Sequence, residues 1–381
     1  MNPKPTLVRI TTVPISLEKL LHGQLHFMSN HYRVIAISSD DEKVRQQEGV
    51  EVFKVPMTRR ITPLQDLKTV ILLYRYFKKV RPHIVHSHTP KAGTVAMMAA
   101  WLSGVRHRLH TVAGLPLLEA RGARRMLLDA VEKVTYACAT RVYPNSSGLR
   151  DIILKNRYAS ASKVKVLGNG SSNGIDTAHF SVDCFSANQL DAIKSEHQIN
   201  PGDFVFVFVG RLVGDKGVNE LMAAFERLLQ RHAQVKLLLV GDYEADLDPL
   251  LPETLRRIQN LPNVIATGFR QDVRPYLAVS DALVLPTYRE GFPNVVLQAG
   301  AMGLPSIVTD INGCNEIISH EINGIIIPVK DEMAIFKAME QLLKNPSQYA
   351  SMKSVARAQI VSRFEQSVVW QAILDEYQNL E

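Results

Sequence analysis

The sequence predicts an α/β protein built from two doubly wound parallel sheets. Short runs rich in Val, Ile and Leu alternate with amphipathic stretches almost throughout. The runs are continuously apolar, as parallel strands covered on both faces must be. The whole series also occurs twice, and 381 residues give room for it at roughly 100–200 residues per domain. Apolar residues at 46% and charged residues at 21% are ordinary for packed domains, which excludes a disordered or fibrous chain.

In the front half, strands are predicted at Val8–Val13, Arg33–Ser39, Glu51–Pro56, Ile84–Ser87, Leu109–Ala113, Arg141–Pro144 and Lys163–Leu167. Between them, Leu64, Leu67, Ile71, Tyr74 and Phe77 recur at spacings of three and four, which predicts a helix over Leu64–Val80. The back half places strands at Phe204–Val209, Val235–Val240, Val264–Thr267, Ala282–Leu285, Ser306–Val308 and Ile325–Pro328. A polar segment over Asp176–Gln198 marks the break, and a last helix covers Gln366–Gln378. Ligands of such sheets sit at the carboxyl ends of the strands, so the expected site is a cleft between the domains.

Charge is divided unevenly. Residues 1–184 hold 27 Lys and Arg against 13 Asp and Glu, whereas residues 185–381 hold 17 against 24. The front half should therefore meet something anionic: nucleic acid, an acidic membrane face or a phosphate-bearing substrate. Cys138, Cys184 and Cys314 lack metal-ligand spacing and cannot build a disulfide framework, which fits a reducing cytoplasm. The longest apolar stretch, Gly93 to Val105, falls short of the roughly 20 residues of a membrane span. The first residues move directly into a strand without an apolar signal-peptide core.

Two loops carry the chemistry. In the first, a buried strand ends at Gly210 and the chain presents Arg211 and Lys216 before a helix opens near Gly217. Two cations beside a helix N-terminus suit an anion, with Arg able to fork two phosphate oxygens and Lys acting as a point charge. The spacing is not that of a P-loop, and no GxGxxG follows the first strand. In the second, Leu285-Pro-Thr-Tyr-Arg-Glu-Gly-Phe-Pro-Asn sets Glu290 at a strand tip just before a helix. A carboxylate there can hold sugar hydroxyls, while the N–H groups of Gly291, Phe292, Asn294 and Val295 can hold oxygens of a phosphate or sugar. Gln298 lies one helical turn further in.

GRLVGDKG followed by REGFPNVVLQA resembles the retaining glycosyltransferases of family 4, which have the GT-B fold. IVHSHTPKAG (Ile84 to Gly93), the turn Thr111–Pro116, Asn173–Asp176 and the tail with Arg363, Phe364 and Trp370 agree with it. The resemblance implies an acceptor-binding domain over 1–184, a nucleotide-sugar domain over 185–362, and a helix over 363–381 crossing back to the first. It implies that Arg211 and Lys216 clamp the diphosphate of a nucleotide-sugar, UDP-linked, with Glu290 beside the sugar. Gly210, Gly291, Phe292, Pro293, Asn294 and Val295 would line the donor site, Gln298 would meet the ribose, and the backbone of Gly268, Phe269 and Arg270 would read the base. Pro14, Ser16, His88, Ala113 and Gly114 would lie on the acceptor or donor-sugar side. No metal or other cofactor is expected, the two cations offsetting leaving-group charge. A 2-epimerase-type isomerase and a catalytically silent nucleotide-sugar-binding subunit are the alternatives.

Two departures from the family pattern shape these expectations. Gln298 replaces an acid and should weaken nucleotide binding. Ala113 replaces a His that many members carry, which leaves room for a donor lacking a 6-hydroxyl. The basic clusters Arg59/Arg60, Arg75/Lys78/Lys79, Arg106/Arg108 and Arg121/Arg124/Arg125 suit an anionic membrane surface bearing a lipid-linked sugar acceptor better than nucleic acid, because no nucleic-acid motif accompanies them.

Overall fold

A computed structural model of the chain describes residues 4–39, 42–58, 62–115, 117, 120–244 and 248–380. They form two units, Met1–Asn173 with Ser367–Glu381 and Gly174–Gln366. In unit 1, strands β1 (Thr6–Ile10), β2 (Arg33–Ser38), β3 (Glu51–Lys54), β4 (Ile84–Ser87), β5 (His107–Val112) and β6 (Arg141–Pro144) form one parallel sheet ordered β3-β2-β1-β4-β5-β6. In unit 2, β7 (Phe204–Val209), β8 (Val235–Val240), β9 (Val264–Gly268), β10 (Ala282–Leu285), β11 (Ser306–Thr309) and β12 (Gly324–Ile327) repeat that order as β12-β11-β10-β7-β8-β9. Each sheet reverses its winding once, between β1 and β4 and between β7 and β10, the point where ligands of such sheets collect.

Alternate residues of the unit 1 strands feed two cores. Val8, Ile35, Ile37 and Val85 pack with Val70, Leu73, Phe77 and Ala96 on one face. Leu7, Val34, Ala36 and Ile84 pack with Leu17, Leu25, Ile373 and Tyr377 on the other. The last helix, Gln366–Gln378, thus completes the second core of unit 1.

Three expectations change. The run Lys163–Leu167 is not a strand. A 3-10 turn, Ala161–Lys163, precedes a single bridge from Val164 to Val142, because Val164 alone of that run is buried. The break falls between Asn173 and Gly174, ahead of 184. Residues 174–184 join unit 2 because Ile175 N–H donates to Phe364 O (2.8 Å) and Arg357 donates to the carbonyls of Thr177 (2.8 Å) and Phe180 (2.9 Å). The helix predicted over Leu64–Val80 forms as Pro63–Val80, yet it buries Thr69, Val70, Leu73 and Phe77. Leu64, Leu67, Ile71 and Tyr74, which revealed it in the sequence, face outward.

Unit 1 also buries three imidazoles, His86, His88 and His110. Burial holds all three below the ordinary histidine value, His110 at about 4. Unfolded, each takes a proton near 6.5. The stability they contribute is therefore fully present above about pH 6.5 and is lost as pH falls below it, for His110 through about 4. Both tryptophans, Trp101 and Trp370, belong to unit 1, so tryptophan fluorescence reads this unit. The urea midpoint it reports should fall steadily across that window; a flat midpoint would contradict the assignment.

Candidate active site

At the winding reversal of unit 2, β7 ends on Val209 and Gly210, whose N–H donates to Val240 O (2.9 Å). The tip of β8 lies so close that a Cβ on Gly241 would stand 1.9 Å from Gly210 O. Beyond these tips is a hollow of about 460 Å³, walled by Gly210, Arg211, Gly241, Asp242, Phe269 and Arg270 among others. Arg211 stands at its edge, 53% exposed, with its guanidinium on Glu244. Leu212 and Val213 are buried and anchor the next turn. Gly217, at φ 70°, is pressed against β10, where a Cβ would meet Pro286 O at 2.1 Å. This contact carries Lys216 across the sheet reversal to Glu290, 2.5 Å from Nζ to Oε1. Their side chains are 17% and 19% exposed.

The loop after β10 is braced from several sides. Tyr288 N–H donates to Asp215 O (2.9 Å), and Arg289 pairs with the Asp215 carboxylate (2.5 Å). Asp215 N–H in turn donates to Asp248 (2.6 Å). Thr309 Oγ1 donates to Thr287 O (2.5 Å), and Asn312 Nδ2 donates to Glu290 O. Helix Asn294–Ala301 then starts with no side-chain cap. The N–H groups of Asn294 and Val295 have no acceptor among the described residues, which leaves an anion-ready end beside the Lys216–Glu290 pair.

The remaining donor-side residues divide by what their side chains touch. Phe292 turns its ring onto Phe364 (centroids 5.5 Å apart), so its backbone alone is offered. Pro293 is buried, Gly291 is half-buried, and Gln298 is half-buried, its backbone carbonyl accepting from Met302 N–H (3.0 Å). Gly268 adopts φ 69°, Phe269 is 65% exposed, and Arg270 lies over the Tyr276 ring. The Phe269 N–H donates to Asp242 Oδ1 (2.9 Å) and is not free to read a base.

In unit 1 the singled-out residues lie beyond the carboxyl ends of β1, β4 and β5. Pro14 opens helix Pro14–Leu20, and Ser16 N–H donates to Val13 O. Ala113 and Gly114 follow β5 half-buried, with open space where a side chain on Gly114 would project. His88 is a correction: it is 3% exposed and its Nε2 accepts from Arg9 Nε (2.9 Å), so it is a core group. Arg9 is fully buried and also donates to Tyr377 OH (3.1 Å) and to Gln24 Oε1. Tyr377 OH lies 2.5 Å from His86 Nδ1, and His86 Nε2 lies 2.7 Å from Thr111 Oγ1. His86 is thereby committed to this network through both ring nitrogens, and His88 through Nε2, while the buried Nδ1 of His88 has no partner among the described residues. Among the described residues no group of three or more His, Cys, Asp or Glu is placed to hold a metal ion.

The basic clusters are thinner than they read in sequence. Arg59 and Arg60 lie outside the described residues. Arg108 donates to the carbonyls of Cys138 and Val105 (both 2.6 Å), and Arg125 pairs with Asp129 (2.9 Å). Arg75, Lys78, Lys79, Arg106, Arg121 and Arg124 stay exposed.

Paired sheets of this order, with a cationic loop crossing to a Glu-Gly-Phe-Pro helix start, define a glycosyltransferase of the GT-B class. HepE from Anabaena, solved in complex with UDP, aligns with a TM-score of 0.81 at 19% identity, over 99% of this chain and 100% of that one. The model described as "Glycosyl transferase 4-like domain" matches residues 28–170, and "Glycosyl transferases group 1" matches residues 203–345. The capsular polysaccharide biosynthesis glycosyltransferase CapM of Staphylococcus aureus is 31% identical over 97% of this chain and 96% of its own. The UDP-Gal:alpha-D-GlcNAc-diphosphoundecaprenol alpha-1,3-galactosyltransferase of Escherichia coli is 30% identical over 77% of this chain and 74% of its own. The chain belongs to the group 1 glycosyltransferases of family 4. The isomerase and the silent binding subunit are not favoured.

Sequence reading missed the bracing groups Asp248, Thr309 and Asn312, together with Glu244. Thr309 ends β11 and Asn312 and Glu244 follow β11 and β8 closely, the same placement that pointed to Arg211 and Glu290, whereas Asp248 lies further along the loop after β8.

Proposed function

We propose that this enzyme moves a hexosyl or N-acetylhexosaminyl group from a UDP-sugar to a lipid-linked sugar, with retention, during surface polysaccharide synthesis. Lys216 beside Glu290, with Arg211 at the edge of the unit 2 hollow, is the observation that carries the reading. The names of the two sequence relatives support the product class and the lipid-linked acceptor. In this reading the bond from the anomeric carbon to the diphosphate breaks, and Arg211 and Lys216 take up the departing charge without a metal. The acceptor oxygen attacks from the same face and passes its proton to the departing phosphate oxygen. No described helix is long and apolar enough to cross a membrane, and the reading places the chain peripherally on the cytoplasmic face.

A thermal-shift panel of UDP-, GDP- and ADP-sugars, with NAD as control, tests the donor. Turnover of the best binder on a diphospholipid-linked sugar tests the transfer. UDP-sugars should stabilise and turn over; binding without turnover would favour the silent subunit. The same assay tests Ala113, since a 6-deoxy donor should be used at least as well as its 6-hydroxylated counterpart. Gln298→Glu restores a charge-assisted acceptor for a ribose hydroxyl and should tighten UDP binding by up to about tenfold. A marked loss of affinity in a UDP titration would contradict that placement.

A further inference from the structure

Helix Pro63–Val80 has two apolar faces, and only one is used inside the fold. Thr69, Val70, Leu73 and Phe77 are buried, while Leu64 is 82% exposed, Leu67 57%, Ile71 44% and Tyr74 36%. At the helical repeat these four occupy a single sector of about 80°. Lys78 shares the sector, its ammonium 6.0 Å from the centre of the Tyr74 ring. Exposed Lys68, Arg75 and Lys79 border it. The helix has one acid, Asp66, which is paired with Lys91 (2.7 Å).

The stripe has neighbours of the same kind. Helix Pro90–Ser103 packs beside this helix, and helix Gly122–Cys138 packs beside that one. They expose Trp101 and Met126, and Arg124 is exposed on the second. An exposed apolar stripe of this kind marks an interaction site. The border selects the occupant. A stripe edged by cations whose long stems can reach outward suits an anionic bilayer, with apolar residues among acyl chains and ammonium groups among phosphates.

We infer that unit 1 docks on an anionic lipid surface through the Leu64, Leu67, Ile71 and Tyr74 stripe and its basic border. The inference rests on the reading of a lipid-linked acceptor and adds the element that reaches the lipid. It also moves the attraction from a general excess of charge to one helix face.

Co-sedimentation of the full chain with phosphatidylglycerol vesicles and with phosphatidylcholine vesicles tests it. The wild type should bind the former far better. The triple variant Leu64→Ser, Leu67→Ser, Ile71→Ser should lose on the order of a hundredfold in affinity for phosphatidylglycerol vesicles. Lys68→Gln, Lys78→Gln, Lys79→Gln should lose a comparable factor at low salt and less at high salt. Unchanged urea midpoints show that both variants are folded. Wild-type binding by the apolar variant, or no binding by the wild type, would overturn the inference. So would a dimer that the apolar variant dissociates, since a second copy would then be the occupant. Transfer to a short-chain, water-soluble acceptor should be unchanged in both variants. A wild type that binds vesicles yet turns over no nucleotide-sugar would refute the proposed function and not the docking face.

Discussion

In the proposed reaction, replacing Lys216 by Ala should lower kcat by about 10²–10³-fold, the usual cost of removing one well-placed charge stabiliser. The ammonium group is the more enclosed of the two cations: its side chain is 17% exposed, against 53% for Arg211. Water screens Arg211 more strongly, and Glu244 competes for it. Arg211→Ala should therefore cost less, about tenfold. The effect of Lys216→Ala should fall on kcat, because diphosphate charge grows as the sugar departs. The deletion also strands the half-buried Glu290 carboxylate without its cation. Lys216→Arg keeps the charge and should recover part of the rate, though the planar fork cannot reproduce a point contact. A rise in KM with kcat unaltered would assign Lys216 to substrate holding alone.

The sequence located these groups because strand tips in a doubly wound sheet are topologically determined: Gly210 and Pro286 end neighbouring strands at the winding reversal. Ten of the twelve strands start within one residue of a predicted apolar run; β1 and β5 each start two residues early, and β1 also ends three residues early. The failures have one physical source. Period and spacing identify an element but do not say which apolar face packs, so four of the five residues that announced helix Pro63–Val80 proved to lie on its outer side, with Phe77 turned into the core. Lys163–Leu167 has strand composition but lies past the last strand of its sheet, with a single bridge to hold it. His88 is expected in the site because the resemblance of IVHSHTPKAG to the family places it there. Its partner Arg9 stands in the middle of β1, where a charged residue carries no local signal of burial. Arg9, Gln24 and Tyr377 are far apart in sequence and meet only through tertiary packing.

That buried arginine yields the largest stability prediction. Arg9→Ala should destabilise unit 1 by about 3–5 kcal/mol, measured by urea unfolding through Trp101 and Trp370. Burial pulls its pKa down, while Tyr377 and the Glu48 carboxylate oppose that shift. Glu48 is itself buried and accepts from the N–H groups of Gly23 (2.7 Å) and His26 (3.1 Å). Truncation leaves a cavity and removes the donor from His88 Nε2 and Gln24 Oε1, two acceptors that water cannot reach. Arg9→Met separates these terms. It fills most of the volume and removes a costly buried charge, yet it leaves the same two acceptors unpaired, and should cost about 2 kcal/mol. A Met variant as stable as the wild type would mean that desolvating the guanidinium cancels all its hydrogen bonds contribute. An intermediate loss would show that Arg9 ties β1, β4, the helix after Gly23 and the final helix together through those bonds. The carboxyl ends of β1 and β4 are where Pro14, Ser16 and the turn after His88 begin, so the same variant should also raise the acceptor KM before it unfolds the chain.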